Sequence, residues 1–150
     1  LFLSVRERNG LAYTIRTSND GYVDTGSFVT QAGVLTDKAE LALQLIQEEY
    51  DRVMLEPVTE PELSKAKEMV RGHLVLELEE TNAMAIFAGG QELLEKTIET
   101  PEKIWKRVNE VSARDIQKLA QELLVPEKRT LVMLSPHKDT SAFEKMLNKS

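Results

Sequence analysis

The sequence contains no cysteine. Disulfides, cysteine nucleophiles and thiolate metal sites are therefore excluded, and the chain fits a reducing compartment such as the cytoplasm. An excess of positive charge is also missing: 19 Lys and Arg stand against 25 Asp and Glu, for a formal net charge of −6. Phosphate binding needs a clustered basic surface, so no nucleic-acid partner is expected. No apolar run approaches the roughly 18 residues of a membrane span, so no membrane partner is expected either. No signal-peptide pattern is visible. There is no initiator Met, and a chain opening on Leu1-Phe2-Leu3 reads as the interior of a longer polypeptide. What is present is 150 residues, the size of one domain. A chain of that length can bury about 70% of its unfolded surface and needs no metal or disulfide to hold a core.

Leu1 to Arg8 reads as the last turns of a helix, ended by Asn9-Gly10 as a left-handed C-cap. Leu11 to Thr17 alternates Leu11, Tyr13 and Ile15 against Ala12, Thr14 and Arg16, the period of a strand. Asn19-Asp20-Gly21 is a turn signal, and a second strand is expected at Gly26 to Val34, with Phe28, Thr30, Ala32 and Val34 on one face. Gly26 and Gly33, beside and within that strand, mark a bulge or close packing.

Helical spacing then takes over. Thr36 or Asp37 caps a helix with Ala39, Ala42, Leu43, Ile46, Tyr50 and Val53 on one stripe, closed by Pro57. Thr59-Glu60-Pro61-Glu62 is a capping box opening a long helix, with Leu63, Ala66, Val70, Leu74 and Leu78 inward. Gly72 and Gly89-Gly90 are expected to interrupt it. Further helices start at Thr100-Pro101, at Ser112-x-x-Asp115 and at Ser141-x-x-Glu144, and Arg129 to Ser135 reads as a short apolar strand. Strands segregated from a run of helices predict an α+β fold: an antiparallel sheet covered on one face by several helices, a two-layer sandwich. The residues are expected to form a single domain over 1–150, truncated at its N-terminus, because three strands leave an edge that needs further strands or a partner.

The run Leu1-Phe2-Leu3-Ser4-Val5-Arg6-Glu7-Arg8-Asn9-Gly10-Leu11-Ala12-Tyr13 resembles the pitrilysin/insulysin/mitochondrial-processing-peptidase family of zinc metallopeptidases. In that family a helix ends in an Arg and a Tyr follows seven positions on, here Arg6 and Tyr13. Thr25 to Val34 is similar to the family's F-x-x-x-A-G-V strand, and Val58 to Lys67 to its V-T-x-x-E-L-x-x-A-K helix start. Thr100-Pro101-Glu102, Val111 to Ile116 and Ser135-Pro136 resemble its later element starts and ends, in order.

The resemblance implies the second, C-terminal domain of a subunit. In the family, zinc is held in the first domain by an H-x-x-E-H motif, which this sequence lacks; its two histidines, His73 and His137, stand in different elements. No metal is therefore expected in this chain, and zinc is expected in a complementary domain or subunit. Tyr13 is implied as an oxyanion and substrate donor acting in trans to zinc, and Arg6 as a substrate-backbone grip. A dimer in the intact protein and an unstructured peptide as substrate are implied as well. The chemistry accounts for both residue types. A phenol O–H gains strength as charge develops on the former carbonyl oxygen. A guanidinium grips a carbonyl or carboxylate with two parallel hydrogen bonds and stays charged at any working pH. Arg8 and Arg16 are alternatives without the family spacing.

The plainer readings stand beside these. An Arg near a helix C-terminus complements the dipole, and a strand Tyr packs. His73 and Glu77 share a helix face but have no third ligand, so a surface His is expected. Trp105, Ile104 and Val108 read as core. Gly89-Gly90 lacks the surroundings of a phosphate loop. Two rival functions remain: a non-catalytic structural or scaffold subunit of the same family, and an unrelated α+β binding module.

Overall fold

The computed structural model describes Leu1, Val5–Glu7 and Asn9–Leu147. Its strands are β1 (Ala12–Gly21) and β2 (Gly26–Val34); its α-helices are α1 (Ala39–Leu55), α2 (Glu60–Glu77), α3 (Thr81–Leu94), α4 (Pro101–Glu110), α5 (Ala113–Leu123) and α6 (Ser141–Leu147). Short 3-10 turns occupy Thr36–Lys38 and Pro126–Lys128. The fold is α+β, with one antiparallel two-stranded sheet among the described residues. These residues form two compact units. One contains Leu1–Glu56 and the chain from Gln117 onward; the other is Pro57–Ile116, so the boundary falls within α5.

The first unit is built on the β1–β2 hairpin. Its strands run past the expected turn at Asn19-Asp20-Gly21, and the reversal is made at Tyr22 to Thr25, where the Tyr22 N–H donates to the Thr25 carbonyl at 2.9 Å. Gly26 permits the return: a Cβ there would stand 2.9 Å from the Asp20 carbonyl oxygen. Val5, Leu11, Ala12, Ile15 and Ala42 form the buried core, with Ala32, Val34, Leu45 and Ile46 packed around it. This is α1 laying its apolar stripe on the inner face of the hairpin. Farther along, the Tyr50 hydroxyl donates to Thr30 Oγ1 at 2.7 Å, and its ring lies 5.9 Å from that of Phe28.

The C-terminal segments lock onto α1. The side-chain amides of Gln117 and Gln121 donate to the Met54 carbonyl at 3.2 and 2.8 Å, and Gln117 also reaches Leu55 at 3.0 Å. They satisfy acceptors that every helix C-terminus leaves open. Arg129, with a side chain only 8% exposed, donates to Asp51 at 2.6 Å and to the Leu124 carbonyl at 2.8 Å. The Gln47 amide reaches the Met146 carbonyl of α6 at 3.1 Å.

In the second unit the Thr59–Glu62 capping box forms as expected, with the Glu62 carboxylate accepting from the Thr59 N–H at 3.1 Å. Leu63 is buried there, Lys67 Nζ donates to the Asn109 carbonyl at 2.7 Å, and the Arg71 guanidinium lies over the Trp105 ring at 5.3 Å. Trp105, Ile104 and Val108 are half-buried.

Several expectations change. Arg129 to Ser135 is not a strand: among the described residues the sheet joins only β1 and β2, with no ladder bonds to this segment, and Val132 is 91% exposed. β-propensity reports fit to a neighbouring sheet, not a preference of the backbone alone. Gly72 and Gly89-Gly90 lie inside α2 and α3; the break falls between them, where Leu78 leaves helical ψ and Glu80 is extended. A helical Gly costs about 1 kcal/mol, which the rest of a helix absorbs. Ala66 and Val70 are exposed, while Leu74 and Leu78 are half-buried. Thr36 and Asp37 form a 3-10 turn, and α1 begins at Ala39. At α6, Ser141 is already helical, its N–H donates to Asp139 at 2.9 Å, and Glu144 accepts from Thr140, at 2.7 Å.

Candidate functional site

The expected Arg6 and Tyr13 flank a turn whose geometry follows from local sequence. Val5, fully buried, and Leu11, 6% exposed, anchor the two sides of the turn in the core. Between them the chain widens to a π-type turn at Val5–Glu7. The Gly10 N–H donates to the Arg6 carbonyl at 2.9 Å and the Leu11 N–H to the Val5 carbonyl at 3.0 Å. Gly10 makes this closure possible with a φ of +60°, a left-handed conformation that glycine adopts without strain. With Val5 and Leu11 turned inward, Arg6 and Glu7 face outward. Arg8 lies outside the described residues.

Tyr13 is set by a defect in the strand ladder. Ala12 pairs with Val34, and Thr14 pairs with Gly33, so β1 advances two residues while β2 advances one. Tyr13 is the extra residue of a β-bulge. The simple alternation of Leu11, Tyr13 and Ile15 on one face therefore fails. Ala12 and Ile15 are both buried, and Tyr13 is 87% exposed. Bulges recur beside active sites because they re-aim a side chain in this way. Gly33 stands opposite the bulge, where a Cβ would sit 3.2 Å from Thr14 Oγ1. The glycine signal in the sequence pointed to a bulge; nothing in it located the extra residue.

Past the bulge, Thr14, Arg16 and Gln31 lie on the outward face of the hairpin, opposite the face packed by Ile15 and Ala32. The Arg16 guanidinium donates through Nε and Nη2 to Gln31 Oε1 at 3.2 and 2.8 Å. This cross-strand pair is the feature that sequence alone did not show, because register fixes it and the bulge fixes register.

The histidines separate into different surroundings. His73 is exposed on α2, as is Glu77. His137 is half-buried, with Nδ1 2.5 Å from Ser135 Oγ and its ring 5.4 Å from that of Phe143. Among the described residues, no three His, Asp or Glu side chains gather as a metal site.

Comparison with known proteins decides the family. Residues 1–70, which contain the turn, the bulge and all of the hairpin, match the profile of the peptidase M16 inactive domain. The chain belongs to the M16 peptidase family. It is 32% identical over 136 residues to YmxG of Bacillus subtilis, described as an uncharacterized zinc protease. It is 30% identical over 142 residues to an uncharacterized zinc protease of Streptomyces coelicolor. These alignments take in 91% and 95% of this chain but only 33% and 31% of the relatives, so the M16 chain described here spans about a third of their length. A chain of complex III2 from Candida albicans, solved with Inz-5 bound, superposes with a TM-score of 0.64 at 18% identity, covering 79% of this chain and 28% of that one. That likeness is one of fold.

Proposed function

We propose that this chain is the substrate-clamping, oxyanion-assisting domain of a zinc-dependent endopeptidase acting on unfolded peptides. One observation supports the reading above others. Within the stretch matched by the M16 profile, a bulge takes Tyr13 out of the core pattern and presents its phenol to solvent. A large aromatic side chain 87% exposed contributes little to packing.

In this reading the described residues of the chain do not hold the metal. Their donors do not cluster, and zinc belongs to a complementary domain or subunit, where it would polarise the scissile carbonyl. Tyr13 donates its O–H to the oxygen on which negative charge develops. Arg6 grips a backbone carbonyl of the extended substrate, in the ground state and the transition state alike. The buried pair Val5 and Leu11 holds the turn from which both side chains emerge.

These roles separate kinetically. In the native protein containing this chain, Arg6→Leu is expected to raise KM for an unstructured peptide with a smaller change in kcat, because the lost interaction is present in both states. Arg6→Lys is expected to recover only part of that loss, because an ammonium lacks the planar fork. An unchanged KM in Arg6→Leu contradicts the grip.

A further inference from the structure

We infer that Arg16 is a specificity-determining residue of this same site, selecting peptides with an acidic side chain two or three residues from the scissile bond. The inference rests on the clamp reading and deepens it. Tyr13 and Arg16 are brought to one face by the bulge. Without the extra residue, positions 13 and 16 would lie on opposite faces of the strand, because side chains alternate with period two. With it, both face outward.

Arg16 is also prepared for an anion. Its Nε and Nη2 are pinned by one neutral acceptor, Gln31 Oε1, which fixes the plane of the guanidinium without neutralising it. Among the described residues it makes no ion pair. The outward face around it is neutral: Thr14, Ser18, Val29 and Gly33 are its neighbours across and along the ladder. The first carboxylate along that face is Asp20, four residues on at about 13 Å, and it is engaged by the Ser27 hydroxyl. The remaining guanidinium N–H groups can therefore meet a carboxylate supplied from outside. Arg16 lies three residues beyond Tyr13 along the strand, about 10 Å, the span of two to three residues of an extended peptide. An acidic side chain at that distance from the bond held by Tyr13 reaches the guanidinium.

The test uses the native protein and a set of unstructured fluorescent peptides that are identical except for Glu, Gln or Lys, scanned through the three positions on each side of the scissile bond. At one position the Glu peptide is expected to show five- to tenfold higher kcat/KM at low salt, about 1–1.4 kcal/mol, the size of one net hydrogen bond at an exposed site. The preference should shrink toward unity at about half-molar salt, because the site is exposed. It should vanish in Arg16→Gln, weaken in Gln31→Leu, and reverse in favour of a Lys peptide in Arg16→Glu. A structural role for Arg16 would not reverse the preference. A Glu/Gln ratio near one at every position, or a ratio unchanged in Arg16→Gln, overturns the inference. Fluorescence anisotropy with the same peptides on chelator-treated protein separates the two claims. The Glu/Gln binding ratio reads Arg16 even if cleavage is absent and the clamp reading has failed, and its absence there overturns Arg16 as an anion contact.

Discussion

Gly10, Tyr13 and Arg6 stand at the turn into the hairpin where the clamp is proposed, and each depends on a different physical term. Gly10→Ala would place its Cβ in open space, with no atom within 4 Å, so its cost is the left-handed backbone alone. That is about 1–2 kcal/mol, expected as a lowered midpoint in urea unfolding with an unchanged m-value. Gly33→Ala differs: its Cβ meets Thr14 Oγ1 at 3.2 Å, the tip of an exposed side chain that can rotate aside. Its expected stability loss is below about 0.5 kcal/mol, as for an ordinary exposed position. The pair of variants asks whether the turn or the bulge limits stability, and a larger loss from Gly33→Ala would contradict this account of the bulge.

At the scale of elements, helix starts were the most legible feature of the sequence, because caps are local chemistry. Thr59 with Glu62, Thr100 with Lys103 N–H, and Ser112 with Asp115 all form where the motifs predicted. Ser112→Ala is expected to cost about 1 kcal/mol in thermal or urea unfolding. Two carboxylates at helix starts carry a pH signature. Asp139 is held below its ordinary value of 3.8 by the Ser141 N–H and then its hydroxyl, and Glu102 below 4.5 by the Thr100 hydroxyl and then its own backbone N–H. A carboxyl lowered on folding stabilises fully above its unfolded pKa, and that contribution fades as pH falls through the lower folded value. Carboxyl NMR titrations should therefore place both midpoints below 3.8 and 4.5 respectively; midpoints at or above those values contradict the assigned hydrogen bonds. The β-elements were less legible. The Arg129–Ser135 segment has strand composition but no ladder partner among the described residues, and Tyr13 has strand alternation overruled by one extra residue. Pairing is non-local, so neither outcome is written in the segment itself. The Arg129–Asp51 contact is also non-local. With Arg129 buried, Asp51→Ala is expected to cost about 1.5–3 kcal/mol, the range for a hydrogen bond to a charged group, measured as a drop in unfolding free energy.

At the scale of the molecule, the order of elements and the motif from Arg6 to Tyr13 carried the family, and the M16 profile over residues 1–70 agrees with them. The candidate site was legible as two residue types at a spacing. Its orientation was not, because the exposure of Tyr13 follows from the bulge and the placement of Arg16 from the register. The functional claim reduces to a phenol O–H acting on a developing oxyanion, and Tyr13→Phe removes that group while keeping the ring. The most direct test is kcat/KM for an unstructured peptide in the native protein and in Tyr13→Phe. The account predicts a loss of about 10²-fold or more, the size of one oxyanion donor, expressed mainly in kcat; activity equal to the native protein would contradict it and leave Tyr13 as a wall of the site.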